Sequence, residues 1–308
     1  MLLNKEETKK IIERIIKGEP QSKILKEKNL LHNRNSIRLS AKKYNLDFPR
    51  TRNTNIIIGD YFDNIQNDKQ CYILGLLYAD GFIIKASHTN EKLGLVLHKE
   101  DTQTVEWVLK ELKPNGKIYN IKSKNQVGFS ITLPYLTNRL KELGIKRCKS
   151  YITTLDIPNF IFDNKLYFFS FLRGFFDGDG SITKTTSFSY QRYNINFSSS
   201  NLLLLKKIKE CLIKYNSFNL DSNKLGTLRE DVYSQKRTIP LYQLTISNSL
   251  IIMWLGNMFY NSAVHSFERK RKRFNSFSLD LINANTNLDN FLLTKLEAEK
   301  LFNNTRIK

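Results

Sequence analysis

Apolar positions along this chain follow two spacings, and the order in which the spacings alternate occurs twice. Up to residue 46 the spacing is helical only. Ile11, Ile12, Ile15 and Ile16 make one stripe, Gly18-Glu19-Pro20 interrupts it, and Ile24 and Leu25 face inward from a second helix. Ile37, Leu39, Ala41 and Tyr44 mark a third helix beyond a polar turn at 29–33. From residue 69 an apolar helix is followed by period-two runs at 82–87 and 93–98. A helix comes next, with Val105, Val108, Leu109 and Leu112 inward and Asp101 as its cap. Pro114-Asn115-Gly116 breaks it, strands follow at 117–121 and 127–133, and a helix at 135–143 stops at Gly144. The same order returns from 165: helix 165–178, strands 181–187 and 193–198, helix 202–215 behind Asn201, strands near 225–233 and 241–247, and helix 250–260.

This pattern predicts an α+β protein made of two α-β-β-α-β-β-α halves related by a pseudo-twofold, preceded by a small helical module. The predicted divisions are a helical module at 1–47, a connector at 48–68, a first half at 69–150, a linker at 151–164, a second half at 165–275 and a tail at 276–308 with one helix near 288–302. Each half alone would expose its first helix, so the two should share a core.

The two first helices carry a repeated stretch. Ile73-Leu74-Gly75-Leu76-Leu77-Tyr78-Ala79-Asp80-Gly81 returns as Leu172-Arg173-Gly174-Phe175-Phe176-Asp177-Gly178-Asp179-Gly180. Gly75 and Ala79 are one helical turn apart, as are Gly174 and Gly178, so each pair lies on one face and lets two backbones approach. Gly81 and Gly180 suit the left-handed conformation that ends a helix. Asp80 and Asp179 then stand at helix C-termini, where the macrodipole disfavours a carboxylate. Two such acids at matched positions, on helices built to touch, suggest a site where a divalent cation offsets the charge. One copy alone reads equally well as a buried helix ending in an Asp-Gly turn. The second copy in register makes that reading improbable.

Charge narrows the partner. The formal net charge is +20, from 49 Lys+Arg against 29 Asp+Glu, and no basic amphipathic stretch adjoins a lipid-seeking one, so nucleic acid is expected before a membrane. Residues 1–52 hold 14 Lys+Arg against 6 Asp+Glu. Short helices, a tight turn and a basic last helix with Arg34, Arg38, Lys42 and Lys43 fit a helix-turn-helix whose final helix enters a DNA major groove. Cys71, Cys148 and Cys211 are few, odd in number and far apart, which predicts an intracellular, reducing compartment (a bacterial or phage-host cytoplasm, or an organelle) rather than secretion. His32, His88, His98 and His265 form no ligand pattern with them. No leader-like segment or apolar run of membrane length is seen.

With its two degenerate nine-residue motifs, each opening an α-β-β-α-β-β-α half, the chain resembles the LAGLIDADG homing endonucleases of the single-chain, two-motif kind over residues 59–275. The resemblance implies two antiparallel sheets straddling double-stranded DNA as a monomer, with the motif helices between the halves. It implies metal-dependent double-strand cleavage at a long recognition site, with Mg²⁺ or another divalent cation. Asp80 and Asp179 match the family's metal-ligating aspartates, assisted by the carbonyls of Ala79 and Gly178. A lysine follows each half's last helix in the family, which points to Lys149 and Lys270 as catalytic, with Lys272 in reserve. Asp101 and Asn201 sit where the family often has a polar, water-organising residue, though each also reads as a plain helix cap. Asp177 has Tyr78 as its counterpart, so position six of the motif is not expected to be essential. DNA contacts are expected from Lys85, Lys122, Lys124, Lys184, Tyr190, Arg192, Arg229, Gln235, Lys236 and Arg237 on the strands and hairpins. The alternatives are a non-cleaving transcription regulator of the same fold and an intron maturase that binds intron RNA.

Overall fold

In the computed structural model, the described residues are 3–16, 21–27, 36–46, 58–86, 91–151, 154, 157–186, 191–216, 225–230, 238–261, 263 and 265–283. The chain divides into two units, Met1–Ile56 and Ile57–Lys308.

The first unit holds helices α1 (Lys5–Ile16), α2 (Gln21–Glu27) and α3 (Ser36–Lys43). Asn4 opens α1 as half of a capping box: its side chain accepts from the Glu7 amide at 2.8 Å, and Glu7 accepts from the Asn4 amide at 3.4 Å. Ile11 packs with Leu3, Ile24, Leu25 and Ile37 in one small core and Ile12 is buried, while the side chains of Ile15 and Ile16 lie outside the described residues. Leu39 departs from expectation. It is 52% exposed, and Ser40 takes the buried place, accepting from the Leu3 amide at 3.0 Å. The reason is spacing: 37, 40, 41 and 44 make the helical stripe, and 39 lies off it.

In the second unit the first half runs α4 (Asp68–Ala79), β1 (Gly81–Lys85), β2 (Glu91–His98), α5 (Thr102–Leu112), β3 (Tyr119–Ile121), β4 (Gln126–Ile131) and α6 (Pro134–Glu142). A short helix α7 (Asn159–Asp163) lies within the predicted linker. The second half repeats the order as α8 (Lys165–Asp179), β5 (Gly180–Thr186), β6 (Gln191–Ser199), α9 (Leu202–Tyr215), β7 (Thr227–Glu230), β8 (Tyr242–Ile246) and α10 (Ser249–Tyr260). Both sheets are antiparallel, in the matching orders β1-β2-β4-β3 and β5-β6-β8-β7. A last helix, α11 (Glu268–Asn283), runs straight across position 276, where the pattern placed the start of a separate tail. Phe274 and Phe277 anchor it in the core, a pair that the basic run 269–273 concealed. The helix predicted at 288–302 lies outside the described residues.

Strand alternation makes the core. Ile83, Leu93, Leu95, Leu97, Val127, Phe129 and Ile131 face inward in the first sheet, and Ile182, Ile195, Phe197, Leu244 and Ile246 in the second. One continuous apolar cluster joins both halves through α4 and α8, so the predicted shared core exists. Among the described residues no helix is long and apolar enough to cross a membrane.

The helix pair is closer than side chains would permit. A Cβ on Gly75 would lie 2.0 Å from the Phe171 carbonyl oxygen, and one on Gly174 would lie 2.0 Å from that of Tyr72. The small residues therefore act as expected. Gly81 and Gly180 do not. Neither is left-handed, Gly180 is extended (φ −91°, ψ 161°), and each starts a strand. Glycine suits them for space instead, since a Cβ would lie 2.5 Å from the Leu77 carbonyl at Gly81 and 2.1 Å from the Phe176 ring at Gly180.

Candidate active site at two adjoining helix ends

Each motif helix is closed by side chains at both ends. Asn67 caps α4 by accepting from the Gln70 amide at 2.9 Å, and Asn164 caps α8 by accepting from the Tyr167 amide at 3.1 Å. At the other end Asp80 is the C-cap of α4 and Asp179 is the last residue of α8. The close crossing brings these ends together: a Cβ on Gly178 would lie 2.3 Å from the Ala79 Cβ and 2.7 Å from Asp80 Oδ2.

The two lysines sit on those helix ends. Lys149 follows Cys148, which holds the left-handed conformation (φ 52°), in a single turn after α6. Its ammonium donates to the carbonyl of Tyr78 at 2.8 Å and also to that of Ala79. Lys270, in the first turn of α11 and buried, donates to the carbonyls of Phe176 at 2.5 Å, Asp177 at 2.6 Å and Gly180 at 2.7 Å. An ammonium at a helix C-terminus offsets the dipole that would otherwise oppose a carboxylate there. Lys272 is exposed on α11 and pairs with Glu268 at 3.8 Å.

Burial and mutual charge shift the titrations of this cluster. Burial, and then the Asp179 carboxylate, push Asp80 up to about 6, against the pull of both lysines. Burial also raises Asp179. Lys149 and Lys270 are each pushed down to about 8 by burial, opposed by the nearby carboxylates. Perturbation of this kind, concentrated on converging acids and bases, marks functional sites.

Asp177 is fully buried and shared between the halves. It accepts from the Tyr72 hydroxyl of α4 at 2.7 Å and from the Phe267 amide, just ahead of α11, at 2.9 Å. Position six therefore has a structural task in the second copy, contrary to expectation: Asp177 ties the helix that carries Lys270 to the helix pair. Asp101 also corrects an expectation. Its side chain makes no cap bond to α5. Both its oxygens accept from Arg269 Nε across the halves, at 3.2 and 3.1 Å. Asn201 does cap, accepting from the Leu204 amide at 3.1 Å while donating to the Thr154 carbonyl at 2.9 Å. A cavity of about 660 Å³ opens beside Asp179, lined also by Lys149 and residues 198–201.

The open faces of the sheets differ from the predicted set of contacts. Lys85 shares the side of Ile83, and Lys184 the side of Ile182, with its ammonium 5.4 Å from the Tyr193 ring centre. Both are exposed, but on the opposite side of the sheet from the open face. Lys122 and Lys124 are exposed on the turn joining β3 to β4, and Arg229 is exposed on β7, on the open side with Gln243. Arg38, Lys42 and Lys43 are exposed on α3. Arg34, Tyr190, Gln235, Lys236 and Arg237 lie outside the described residues, as does the side chain of Arg192. Sequence reasoning missed the neutral polar face of the second sheet, where Thr245 donates to Asn196 at 2.8 Å and Ser247 to Asn194 at 2.6 Å. The signal was present as strict alternation of Asn194, Asn196 and Ser198 with Ile195 and Phe197. Among the described residues no group of three or more His, Cys, Asp or Glu side chains is placed to hold a metal.

Residues 168–252 match a family model described as a LAGLIDADG-like domain. No curated protein matches the chain. Similar solved structures include I-SmaMI bound to uncleaved DNA target in the presence of calcium ions (TM-score 0.48, 13% identity, 79% of this chain and 98% of that one). They also include the I-LtrWI LAGLIDADG homing endonuclease bound to target DNA (0.48, 15%, 78% and 98%). A third is the LAGLIDADG meganuclease I-AabMI bound to uncleaved DNA (0.47, 17%, 78% and 98%).

Proposed function

We propose, from the match of residues 168–252 to a LAGLIDADG-like domain and from the site described above, that this chain is a site-specific DNA endonuclease that cuts both strands with the help of a divalent cation. The observation that carries the reading is the convergence of Asp80 and Asp179 at two adjoining helix ends, each with a lysine ammonium on its carbonyls. A protein that only binds DNA has no use for two carboxylates held there against burial and repulsion.

The donor set suits a hard cation. Two carboxylates and the carbonyls of Ala79 and Gly178 offer oxygen alone, and few protein ligands are what Mg²⁺ accepts when substrate phosphate and water complete its sphere. Ala79 and Gly178 already receive the lysine ammonium groups, so Asp80 and Asp179 would provide the principal ligands. When bound, the cation supplies charge stabilisation to the attacking and leaving oxygens of an in-line displacement. Lys149 and Lys270 hold the helix ends in place and set positive charge beside the phosphate. Water is the nucleophile, and no covalent enzyme intermediate is required.

The partner in this reading is duplex DNA, bound by a monomer. Asn194, Asn196, Gln243 and Arg229 on the open face of the second sheet can read base edges, Asn and Gln pairing best with adenine and Arg with guanine. Three free cysteines accord with a reducing, intracellular setting.

The test is a cleavage assay with purified protein, Mg²⁺ and a randomised duplex library, run beside Asp80→Asn and Asp179→Asn. Defined double-strand cuts that both variants lose are expected. Sequence-selective, salt-sensitive binding with no cutting moves the reading to a regulator, and preference for structured RNA over duplex DNA moves it to a maturase.

A further inference from the structure

The segment that leads into α11 is gripped by the opposite half. α10 ends at Tyr260 and α11 begins at Glu268. Both ends of the connection are pinned to α8: Arg173 donates to the Phe259 carbonyl at 3.0 Å, and Asp177 accepts from the Phe267 amide at 2.9 Å. Between them, His265 reaches the first half. Its ring stacks on the indole of Trp107 on α5, with centres 4.4 Å apart and planes within 5° of parallel. Its Nε2 is hydrogen-bonded to the buried Thr104 Oγ1 at 2.9 Å. The Tyr72 ring of α4 meets both rings edge-on, with centres 5.8 Å away in each case. The Tyr72 hydroxyl donates to the same Asp177 oxygen that takes the Phe267 amide.

This grip bears on the lysine just beyond it. Lys270 stands in the first turn of α11, and its ammonium meets the carbonyls of Phe176, Asp177 and Gly180 only while that helix starts where it does. A helix is a rigid element, so a displaced first residue carries the whole first turn with it. The position on α9 that matches Trp107 is Lys207, which cannot form a ring stack; its ammonium lies 5.7 Å from the Phe162 ring centre. The device therefore has no counterpart for Lys149.

Resting on the endonuclease reading above, we infer that Trp107, His265 and Thr104 form a clasp between the halves that positions Lys270 for cleavage. The three are positioning residues, set apart from the acidic helix ends. The stack fixes where α11 starts, and α11 fixes where the ammonium lies.

The test uses the full chain with Trp107→Leu, His265→Ala and, as the conservative exchange that keeps a ring in the stack, Trp107→Phe. In single-turnover cleavage of the selected target duplex with Mg²⁺, Trp107→Leu and His265→Ala should be slower by about tenfold to a hundredfold, the effect of a misplacement near 1 Å. Their Kd for the duplex should stay at the wild-type value, and Trp107→Phe should recover most of the rate. A second readout needs no activity: acetylation of lysines in the free protein, followed by peptide mass spectrometry. Lys270 is 4% exposed and should be protected in wild type. It should be labelled several times faster in Trp107→Leu and His265→Ala, with Lys149 unchanged. Wild-type cleavage and labelling in both variants, failure of Trp107→Phe to recover the rate, or an equal gain in labelling at Lys149 would overturn the inference and leave the endonuclease standing. No cutting by wild type would overturn the endonuclease reading, while faster labelling of Lys270 alone would still establish the clasp.

Discussion

Replacing Gly174 with alanine probes the contact on which both the fold and the site depend. The added Cβ would lie 2.0 Å from the Tyr72 carbonyl oxygen, 2.8 Å from the Leu76 nitrogen and 3.0 Å from the Tyr72 carbonyl carbon. An ordinary carbon–oxygen contact is about 3.4 Å, so α4 and α8 must separate by roughly 1.4 Å. The obstacle is backbone, which cannot swing away as a side chain can. Overpacking of this kind costs about 1–3 kcal/mol, and the upper end applies here. A gap of that width also forfeits up to about half of the dispersion energy along the seam. Alanine returns about 1 kcal/mol through helix propensity. The net expectation is a loss of about 2–3 kcal/mol. Equilibrium urea unfolding followed by tryptophan fluorescence measures it cleanly. The two tryptophans, Trp107 on α5 and Trp254 on α10, report one half each, and none lies in the N-terminal unit. Adding Gly75→Ala to Gly174→Ala should cost less than the sum of the two, because the first substitution has already parted the helices. A Gly174→Ala protein as stable as wild type, or about 1 kcal/mol more stable as propensity alone dictates, would refute the reasoning.

Three further outcomes follow from the same geometry. Tyr72→Phe removes one of the two donors to the buried Asp177 carboxylate and should destabilise the protein by about 1–3 kcal/mol in thermal or urea unfolding; an unchanged midpoint would mean the bond contributes nothing. His265 stacks on Trp107 at 4.4 Å, and burial pushes its pKa down to about 4. The unfolded chain therefore takes up the proton first, so the contribution of His265 is full above about 6.5 and is lost as pH falls from 6.5 through 4. After discounting for partial exposure this amounts to about 1–2 kcal/mol. Asp80 and Asp177, both raised to about 6, act in the opposite sense, so the measurement is the difference in stability between wild type and His265→Gln across about pH 4–7. A flat difference would exclude the shift. Finally, replacing Arg38, Lys42 and Lys43 together with alanine should weaken DNA binding and lower the slope of log K against log salt by up to about 0.9 for each phosphate no longer neutralised; an unchanged slope would remove α3 from the interface.

Much of the candidate site is legible before any fold is drawn, because it is written twice. The repeat places Asp80 and Asp179 at helix ends, and the resemblance to a family with a lysine after each half's last helix points to Lys149 and Lys270. Those lysines do converge on the motif helices, although the groups they touch, the terminal carbonyls, leave no mark in the sequence. Asp101 misleads for a physical reason. A capping residue and an ion-pair partner have the same local sequence, and the partner, Arg269, is 168 residues away. Lys85 and Lys184 attract notice for their charge and are exposed, but strand parity puts them on the side of Ile83 and Ile182 and off the open face. α11 is hidden because its apolar anchors, Phe274 and Phe277, follow a dense basic run.

Pattern along the chain gave the order of elements within the two halves, the inward residues of the central strands, the helix cap at Asn201, and the small residues that let α4 and α8 touch. These are local properties, set by period, by propensity and by the steric demand of a single Cβ. Only the tertiary structure decided that Gly81 and Gly180 are needed for space rather than for backbone twist. It also decided that Asp177 bridges the two halves, that Arg269 crosses to Asp101, and that one half-site opens on a cavity lined by serines while the other ends in charge. Each of these depends on atoms brought together from distant parts of the chain, and no pattern within a helix or a strand encodes such a meeting.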